Sequence, residues 1–133
     1  MTHYIFIYGT LLPGLRLHPH MRTGSMIAAA QCHAYLYDLG EYPGMVRSVL
    51  GDPSCVKGEV YTVDESLLNQ LDELEGVVSG DDAASLYLRQ RILLEKPAEL
   101  KSVEVWSYFY NRPVQGCPRV HSGDYKAYLR GKS

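Results

Sequence analysis

The chain has 133 residues, of which 46% are hydrophobic and 21% are charged, a composition typical of a globular protein that can bury a core without disulfide or metal support. Its formal net charge is −2, from 13 Lys and Arg against 15 Asp and Glu, which argues against nucleic acid or an anionic membrane as a partner. Three cysteines and no apolar run of membrane-spanning length predict reduced thiols, a cytoplasmic location and one domain over residues 1–133.

The first predicted element is a strand over residues 3–8, because Tyr4-Ile5-Phe6-Ile7 is a run of β-branched and aromatic residues. A loop over residues 9–24 follows, and it starts within the sequence Tyr8-Gly9-Thr10-Leu11. Gly9 permits a tight turn and a close approach to the backbone. Successive N–H groups in such a turn can bind an anionic oxygen, although an ordinary exit from a strand has the same pattern.

An amphipathic helix is predicted near the middle of the chain. Asp64 is a suitable N-cap, and Gly76 is placed to end the helix. Leucines recur at helical spacing between these two residues, at positions 67, 68, 71 and 74. Three further strands are predicted between the first strand and the helix, over residues 25–38, 45–49 and 57–63.

The remainder of the chain predicts two strands and a short helix, over residues 86–95, 103–110 and 125–129. Ser122 is the expected N-cap of this helix. Tyr87 and Arg89 share one face of their strand, and an inward-facing Arg89 would meet a carboxylate. Strands on both sides of one main helix predict an α+β fold. We expect a small, mixed, mainly antiparallel β-barrel with one main helix and a short C-terminal helix.

The last turn of the main helix contains Asp72, Glu73 and Glu75, where the helix dipole disfavours negative charge. Glu75 follows Leu74 by about 100° of helix rotation, which places it at the rim of the buried face. A carboxylate beside a low-dielectric wall has a raised pKa, as a general acid or base requires. A solvated acidic helix end is the simpler alternative.

Two other pairs of residues have side chains that could bind metal or act as a nucleophile. His18 and His20 flank a proline but lack further ligands at recognisable spacing, so we interpret them as surface histidines and expect no metal site. Cys117 with His121 would permit a thiol nucleophile and hydrolysis, but no orienting acid is evident. A structural cysteine is the favoured interpretation.

Taken together, the motifs resemble the γ-glutamylcyclotransferase-like superfamily, in particular its small bacterial and γ-glutamylamine cyclotransferase-like branch. The resemblance rests on Tyr8-Gly9-Thr10-Leu11 after the first strand and on Leu71-Asp72-x-x-Glu75-Gly76 at the helix end. Weaker matches occur, in order, at Tyr42-Pro43-Gly44, Gly58-Glu59-Val60-Tyr61, Tyr87-x-Arg89 and Ser122-Gly123-Asp124-Tyr125. The resemblance implies a closed barrel with a cavity at its mouth, between the Gly9 turn and Glu75.

The resemblance also implies an activity: conversion of a small γ-glutamyl amine or peptide to 5-oxoproline and a free amine, without metal or cofactor. Glu75 is the implied general acid/base, and the implied substrate cradle is Tyr8, Gly9, Thr10 and Leu11. From its place at a strand end, Tyr110 is the expected pocket hydroxyl, with Arg89 and Tyr87 as further substrate contacts. The alternative is a non-catalytic small-molecule-binding barrel in which Glu75 only holds an amine. In either case we expect a monomer or weak homodimer.

Overall fold

The structure is a computed structural model that describes residues 2–131, so the predicted domain of residues 1–133 begins and ends outside the described range. The strands are β1 (Thr2–Ile7), β2 (Ser25–His33), β3 (Tyr35–Asp38), β4 (Pro43–Val46), β5 (Cys55–Asp64), β6 (Tyr87–Ile92) and β7 (Val105–Tyr110). The α-helices are α1 (Glu65–Leu74) and α2 (Tyr125–Gly131). Short 3-10 helices cover His18–Met21, Asp82–Ala84 and Ala98–Leu100. No helix within residues 2–131 is long and apolar enough to cross a membrane.

Five strands form the main sheet, in the order β2-β5-β1-β7-β6. Neighbouring strands are antiparallel except β1 and β7, which run parallel. β1 lies at the centre, with Ile5 and Ile7 in one hydrophobic cluster and Phe6 in the other. Burial on both faces explains why β1 is a continuous apolar run. The α+β class, the mainly antiparallel sheet and both predicted helices are confirmed.

The predicted closure into a barrel is wrong, because β2 and β6 remain the two edges of the sheet. A single bridge joins Gln31 to Lys96, so the segment after β6 touches β2 without extending the ladder. The next residue, Pro97, has no N–H to donate to a further pairing. The sheet is therefore open, with its edges brought close on one side.

Two strand predictions also need correction. Residues 25–38 form two strands, because β3 leaves the main sheet and pairs with β4 in a separate two-stranded sheet. The break is at Ala34, whose N–H donates to Ser54 O at 3.3 Å instead of to a β-partner. The strand predicted over residues 45–49 starts earlier and ends at Val46, where its pairing with Tyr35 stops.

The predicted caps of the two helices have different outcomes. Asp64 caps α1 as predicted, with its Oδ1 accepting from Leu67 N at 2.8 Å. At α2 the capping carboxylate belongs to Asp124, whose Oδ1 accepts from Ala127 N at 3.0 Å. The Ser122 hydroxyl instead accepts from Asp124 N at 3.2 Å, so it positions the capping residue and does not cap the helix itself.

Candidate active site

A cavity of about 200 Å³ lies beside the point where the chain leaves β1. Its walls are mostly apolar and aromatic, and its lining residues are Phe6, Ile7, Tyr8, Gly9, Thr10, Leu11, Arg16, Leu17, Tyr42, Pro43, Leu74, Glu75, Leu86, Tyr87 and Tyr108. A cavity of this volume has room for several water molecules or a small polar group. The structure thus brings the Tyr8–Leu11 turn and Glu75 to one cavity.

The turn at Gly9–Leu11 directs its carbonyl groups into its own loop. Gly9 O accepts from Leu12 N at 2.9 Å, and Thr10 O accepts from Leu17 N at 2.8 Å. Leu11 O accepts from the His18 ring Nδ1 at 2.8 Å. In contrast, the N–H groups of residues 9, 10 and 11 donate to no acceptor among residues 2–131. These three amides are therefore unpaired donors beside the cavity.

Close packing keeps Gly9 where it is. A Cβ added at Gly9 would lie 2.6 Å from Pro43 Cγ, and both residues line the cavity. A larger residue would force Pro43 away from the turn. The requirement for glycine comes from this contact and does not involve a left-handed backbone, since Gly9 is absent from the residues with positive φ.

Glu75 is held at the end of α1 by a Schellman motif. Gly76 has φ +71°, Gly76 N donates to Glu73 O at 3.1 Å, and Val77 N donates to Asp72 O at 2.9 Å. The chain reverses directly after Glu75, so this residue is the C-cap of α1 and its side chain reaches the cavity wall. Gly76 ends the helix as predicted.

Burial raises the pKa of the Glu75 carboxyl to about 7. No residue of the described range pairs with this carboxyl or hydrogen-bonds to it, so nothing counteracts the loss of hydration. The phenols of Tyr8, Tyr87 and Tyr108 are near enough that the Glu75 charge adds to the effect of burial in raising the pKa of each. At neutral pH the carboxyl is close to the midpoint of its titration, where it both accepts and donates a proton readily.

Asp72 and Arg89 form a support behind this site. Arg89 Nε donates to Asp72 Oδ1 at 2.8 Å, and the Tyr108 hydroxyl donates to the same oxygen at 2.7 Å. The guanidinium also lies over the Trp106 ring, with Arg89 Cζ 4.4 Å from the ring centroid. Arg89 does meet a carboxylate, but it belongs to the protein, and Arg89 is not among the residues that line the cavity. The cluster fixes the last turn of α1 against β6 and β7.

The tyrosines present rings to the cavity and use their hydroxyls within the protein. The Tyr8 hydroxyl donates to Tyr108 O at 2.7 Å and accepts from Met45 N at 3.2 Å. The Tyr87 hydroxyl donates to Pro43 O at 2.6 Å. These phenols therefore shape the cavity walls and are already satisfied as hydrogen-bonding groups.

Tyr110 lies behind the cavity wall. Its ring packs edge-on against Tyr87, with 5.4 Å between the centroids, and Tyr110 does not belong to the lining. Its side chain thus supports Tyr87, and a contact from its hydroxyl to substrate stays a prediction. The hydroxyl of Thr10 has no partner among the described residues and lies at the cavity, which makes it the better candidate for that contact.

Arg16 is a lining residue that sequence reasoning missed. It is exposed at the rim and forms no ion pair or hydrogen bond within the described part of the chain. The signal was present, because Arg16 is the only charged residue in the apolar stretch over residues 11–17. The cavity therefore carries a cation at its mouth and a titratable acid on its wall.

The competing residues are outside the lining. His18 supports the turn through Leu11 O, while His20 is exposed. Cys117 is half-buried in the loop after β7, and its N–H donates to Val114 O at 2.9 Å. Neither Cys117 nor His121 lines the cavity that holds Glu75.

Comparison with known proteins shows which family the chain resembles over most of its length. A sequence model for the family described as "Gamma-glutamyl cyclotransferase, AIG2-like" matches residues 5–127. The chain is 34% identical over 122 residues to the γ-glutamylcyclotransferase family protein YtfP of Escherichia coli strain K12, covering 91% of this chain and 94% of that protein. It is 33% identical over 110 residues to the γ-L-glutamyl-butirosin B γ-glutamyl cyclotransferase of Niallia circulans, covering 81% of this chain and 67% of that protein.

Solved structures of similar proteins have a similar fold. The solution NMR structure of YtfP from Escherichia coli superposes with a TM-score of 0.66 at 32% identity, covering 92% of this chain and 95% of that one. The crystal structure of an AIG2-like protein from Mus musculus superposes with a TM-score of 0.72 at 25% identity, covering 93% and 88% of the two chains.

Proposed function

We propose a reaction for this chain, which belongs to the AIG2-like γ-glutamyl cyclotransferase family. It converts a γ-glutamyl amine or peptide to 5-oxoproline and a free amine, with Glu75 as general acid/base. The observation that carries the proposal is one cavity holding both the Glu75 carboxyl and the turn whose amide N–H groups are unpaired. The pKa of that carboxyl, raised by burial to about 7, suits a group that takes and returns a proton.

Glu75 moves one proton twice in this reaction, and the attacking nitrogen also releases a second proton. The α-ammonium group of the substrate gives a proton to the Glu75 carboxylate, and its nitrogen then attacks the γ-carbonyl carbon of the same glutamyl group. The tetrahedral intermediate collapses by breaking the bond to the leaving nitrogen, which receives the proton from Glu75, while the ring nitrogen releases its second proton to solvent. The products are 5-oxoproline and the free amine, and the carboxylate is regenerated.

The turn and the aromatic walls supply the remaining requirements. Negative charge develops on the γ-carbonyl oxygen, and fixed N–H donors such as those of Gly9, Thr10 and Leu11 stabilise it. Ring closure requires the glutamyl group to fold back on itself, so a narrow cavity walled by Tyr87 and Tyr108 favours the reactive conformation.

Arg16 is assigned the recognition of a substrate carboxylate. Every γ-glutamyl compound carries an α-carboxylate, and γ-glutamyl peptides carry a second one on the leaving group. Arg16 is the cation of the cavity lining and has no protein partner within residues 2–131, so its guanidinium is available for a bidentate contact.

The proposed reaction is tested directly by product analysis. Purified protein is incubated with γ-glutamyl amines, γ-glutamyl dipeptides and glutathione, and 5-oxoproline is measured by mass spectrometry. We expect 5-oxoproline together with one equivalent of free amine from at least one class. Free glutamate as the product would instead indicate hydrolysis, and binding without turnover across all classes would favour the non-catalytic alternative.

The variant Arg16→Gln is expected to raise KM by roughly 10- to 100-fold and to leave kcat nearly unchanged, because a charged hydrogen bond of about 1.5–3 kcal/mol is lost in the ground state and transition state alike. Arg22→Gln is the control, since Arg22 is an exposed arginine outside the cavity lining. An increase confined to γ-glutamyl dipeptides assigns the contact to the leaving group, and an equal increase for γ-glutamyl amines assigns it to the α-carboxylate. An unchanged KM would remove Arg16 from substrate binding.

The cysteines fit a reducing compartment such as the cytoplasm. All three lie within the described residues, and none of Cys32, Cys55 and Cys117 forms a disulfide. The proposed chemistry uses none of them.

A further inference from the structure

Three potential metal ligands meet on the side of the molecule where the two edges of the sheet approach each other. They are His33, Cys55 and Glu95, and their ligand atoms all lie within 4.8 Å of one another. His33 ends β2 and pairs directly with Cys55, the first residue of β5. Glu95 follows β6, and its N–H donates to Gln31 O at 2.8 Å. The backbone thus fixes all three positions.

The geometry within this cluster suits a shared ion. His33 Nδ1 is 3.4 Å from Cys55 Sγ. Ligand atoms around a tetrahedral ion with bonds of about 2.0–2.3 Å are separated by roughly 3.3–3.8 Å, so this pair is already at the required spacing. The Glu95 carboxylate needs only a small side-chain rotation to complete the set, because its ligand atom is already within 4.8 Å of the other two.

Gln31 gives the cluster a second layer of support. Its Nε2 donates to Cys55 Sγ at 3.6 Å and also to Glu95 Oε2. Donors of this kind orient anionic ligands and stabilise their charge in metal sites. An amide that contacts both the thiol and the carboxylate is a separate indication that these two groups are arranged to act together.

We propose that His33, Cys55 and Glu95 bind one Zn²⁺ ion, with water in the fourth position. The mixed set of imidazole, thiolate and carboxylate ligands suits the borderline softness of Zn²⁺. On binding, the Cys55 thiol releases its proton to solvent and its thiolate forms the bond to the metal. None of the three residues lines the cavity that holds Glu75, so this site is separate from the proposed cyclotransferase centre.

The position gives the ion a structural role. In the protein as described, the segment after β6 is joined to β2 through Gln31, by the bridge to Lys96 and the N–H of Glu95. A metal ion held by β2, β5 and Glu95 would fasten the same gap through side chains. Binding to the folded state alone stabilises it, so the melting temperature is expected to rise with Zn²⁺ concentration.

Titration with Co²⁺, a spectroscopic substitute for Zn²⁺, tests the proposal in the full-length protein under reducing conditions. We expect one equivalent to bind, with d–d absorption in the visible range, thiolate-to-metal charge transfer in the near ultraviolet and displacement of both by Zn²⁺. Cys55→Ser should abolish the charge transfer. Cys117→Ser, which changes another half-buried free cysteine, should leave it intact.

Two further variants cover the case in which Cys55→Ser fails to fold. His33→Gln and Glu95→Gln each remove one proposed ligand. Loss of an outer-shell partner typically weakens metal binding by about 10- to 100-fold, so loss of a direct ligand should weaken it by at least about tenfold. The proposal is overturned if Co²⁺ produces no charge-transfer band, if the band survives Cys55→Ser, or if both ligand variants bind as tightly as the wild type. None of these outcomes depends on enzymatic activity.

Discussion

The variant Glu75→Gln is expected to lower kcat by about 10²–10⁴, the usual contribution of a positioned general acid or base. Glutamine matches glutamate in size, so the cavity wall is kept, but its amide cannot accept the proton of the substrate ammonium. The measurement is the steady-state rate of 5-oxoproline release, with KM determined for the same substrate. KM should change much less than kcat, because the lost interaction matters mainly in the transition state.

Glu73→Gln is the matched control. Glu73 lies two residues earlier in the chain and is exposed, so its replacement makes the same chemical change without touching the cavity. We expect it to keep kcat within about twofold, as is usual for surface substitutions. Full activity of Glu75→Gln would reject the acid/base assignment while leaving the cyclotransferase reaction itself in place.

The pH dependence of kcat/KM is a second, independent test of Glu75 as the general base. Glu75 takes the substrate proton as a carboxylate, and burial raises its pKa to about 7. The wild-type kcat/KM should therefore be low at pH values below about 7 and should rise as the pH increases through about 7. The residual activity of Glu75→Gln should lack this limb. An acid limb near the ordinary glutamate pKa would contradict the burial of the carboxyl.

The second large effect is expected on stability, from Gly123→Ala. Gly123 is buried with φ +69°, and an added Cβ would lie 1.8 Å from Cys55 O at the start of β5. The obstacle is backbone, which is already engaged because Lys57 N donates to Gly123 O at 2.8 Å. A left-handed alanine costs about 1–2 kcal/mol and overpacking about 1–3 kcal/mol. The free energy of unfolding should fall by roughly 2–5 kcal/mol, measured by urea denaturation.

Gly116→Ala separates these two contributions. Gly116 has φ +83°, similar to Gly123, but an added Cβ there would meet nothing within 4 Å. Its replacement should cost only the left-handed strain, about 1–2 kcal/mol. Equal losses for the two variants would mean that the chain after Val120 moves freely away from β5, contrary to the contacts described above.

Much of the local structure could be predicted from the sequence because its causes are local. The cap at Asp64, the leucine spacing of α1 and the stop at Gly76 depend on neighbours within a few residues. β1 was equally clear, since a strand buried on both faces must be apolar throughout. Glu75 could also be recognised from local sequence, because a negative charge at the C-terminal end of a helix is disfavoured by the helix dipole.

What escaped prediction depends on contacts between distant segments. Whether a sheet closes depends on how far β6 reaches toward β2, and no pattern within either strand reports that distance. The partnership of Asp72 with Arg89 and Tyr108 joins three elements, so it could not be recognised from helix periodicity. Arg16 is a different case. The sequence shows it as a single charge among leucines, but only the structure shows that it lies at the cavity.

The parallel pairing of β1 with β7 determines when the cavity can exist. The Tyr8 hydroxyl and its acceptor, Tyr108 O, are 100 residues apart in the chain. At a synthesis rate of about 5–20 residues per second, a growing chain carries its first strand for roughly 5–20 s before the parallel neighbour is made. Contacts of such long range also slow folding, because the loop must close before they form. The central strand of the sheet is therefore the first to be synthesised and among the last to be fully paired.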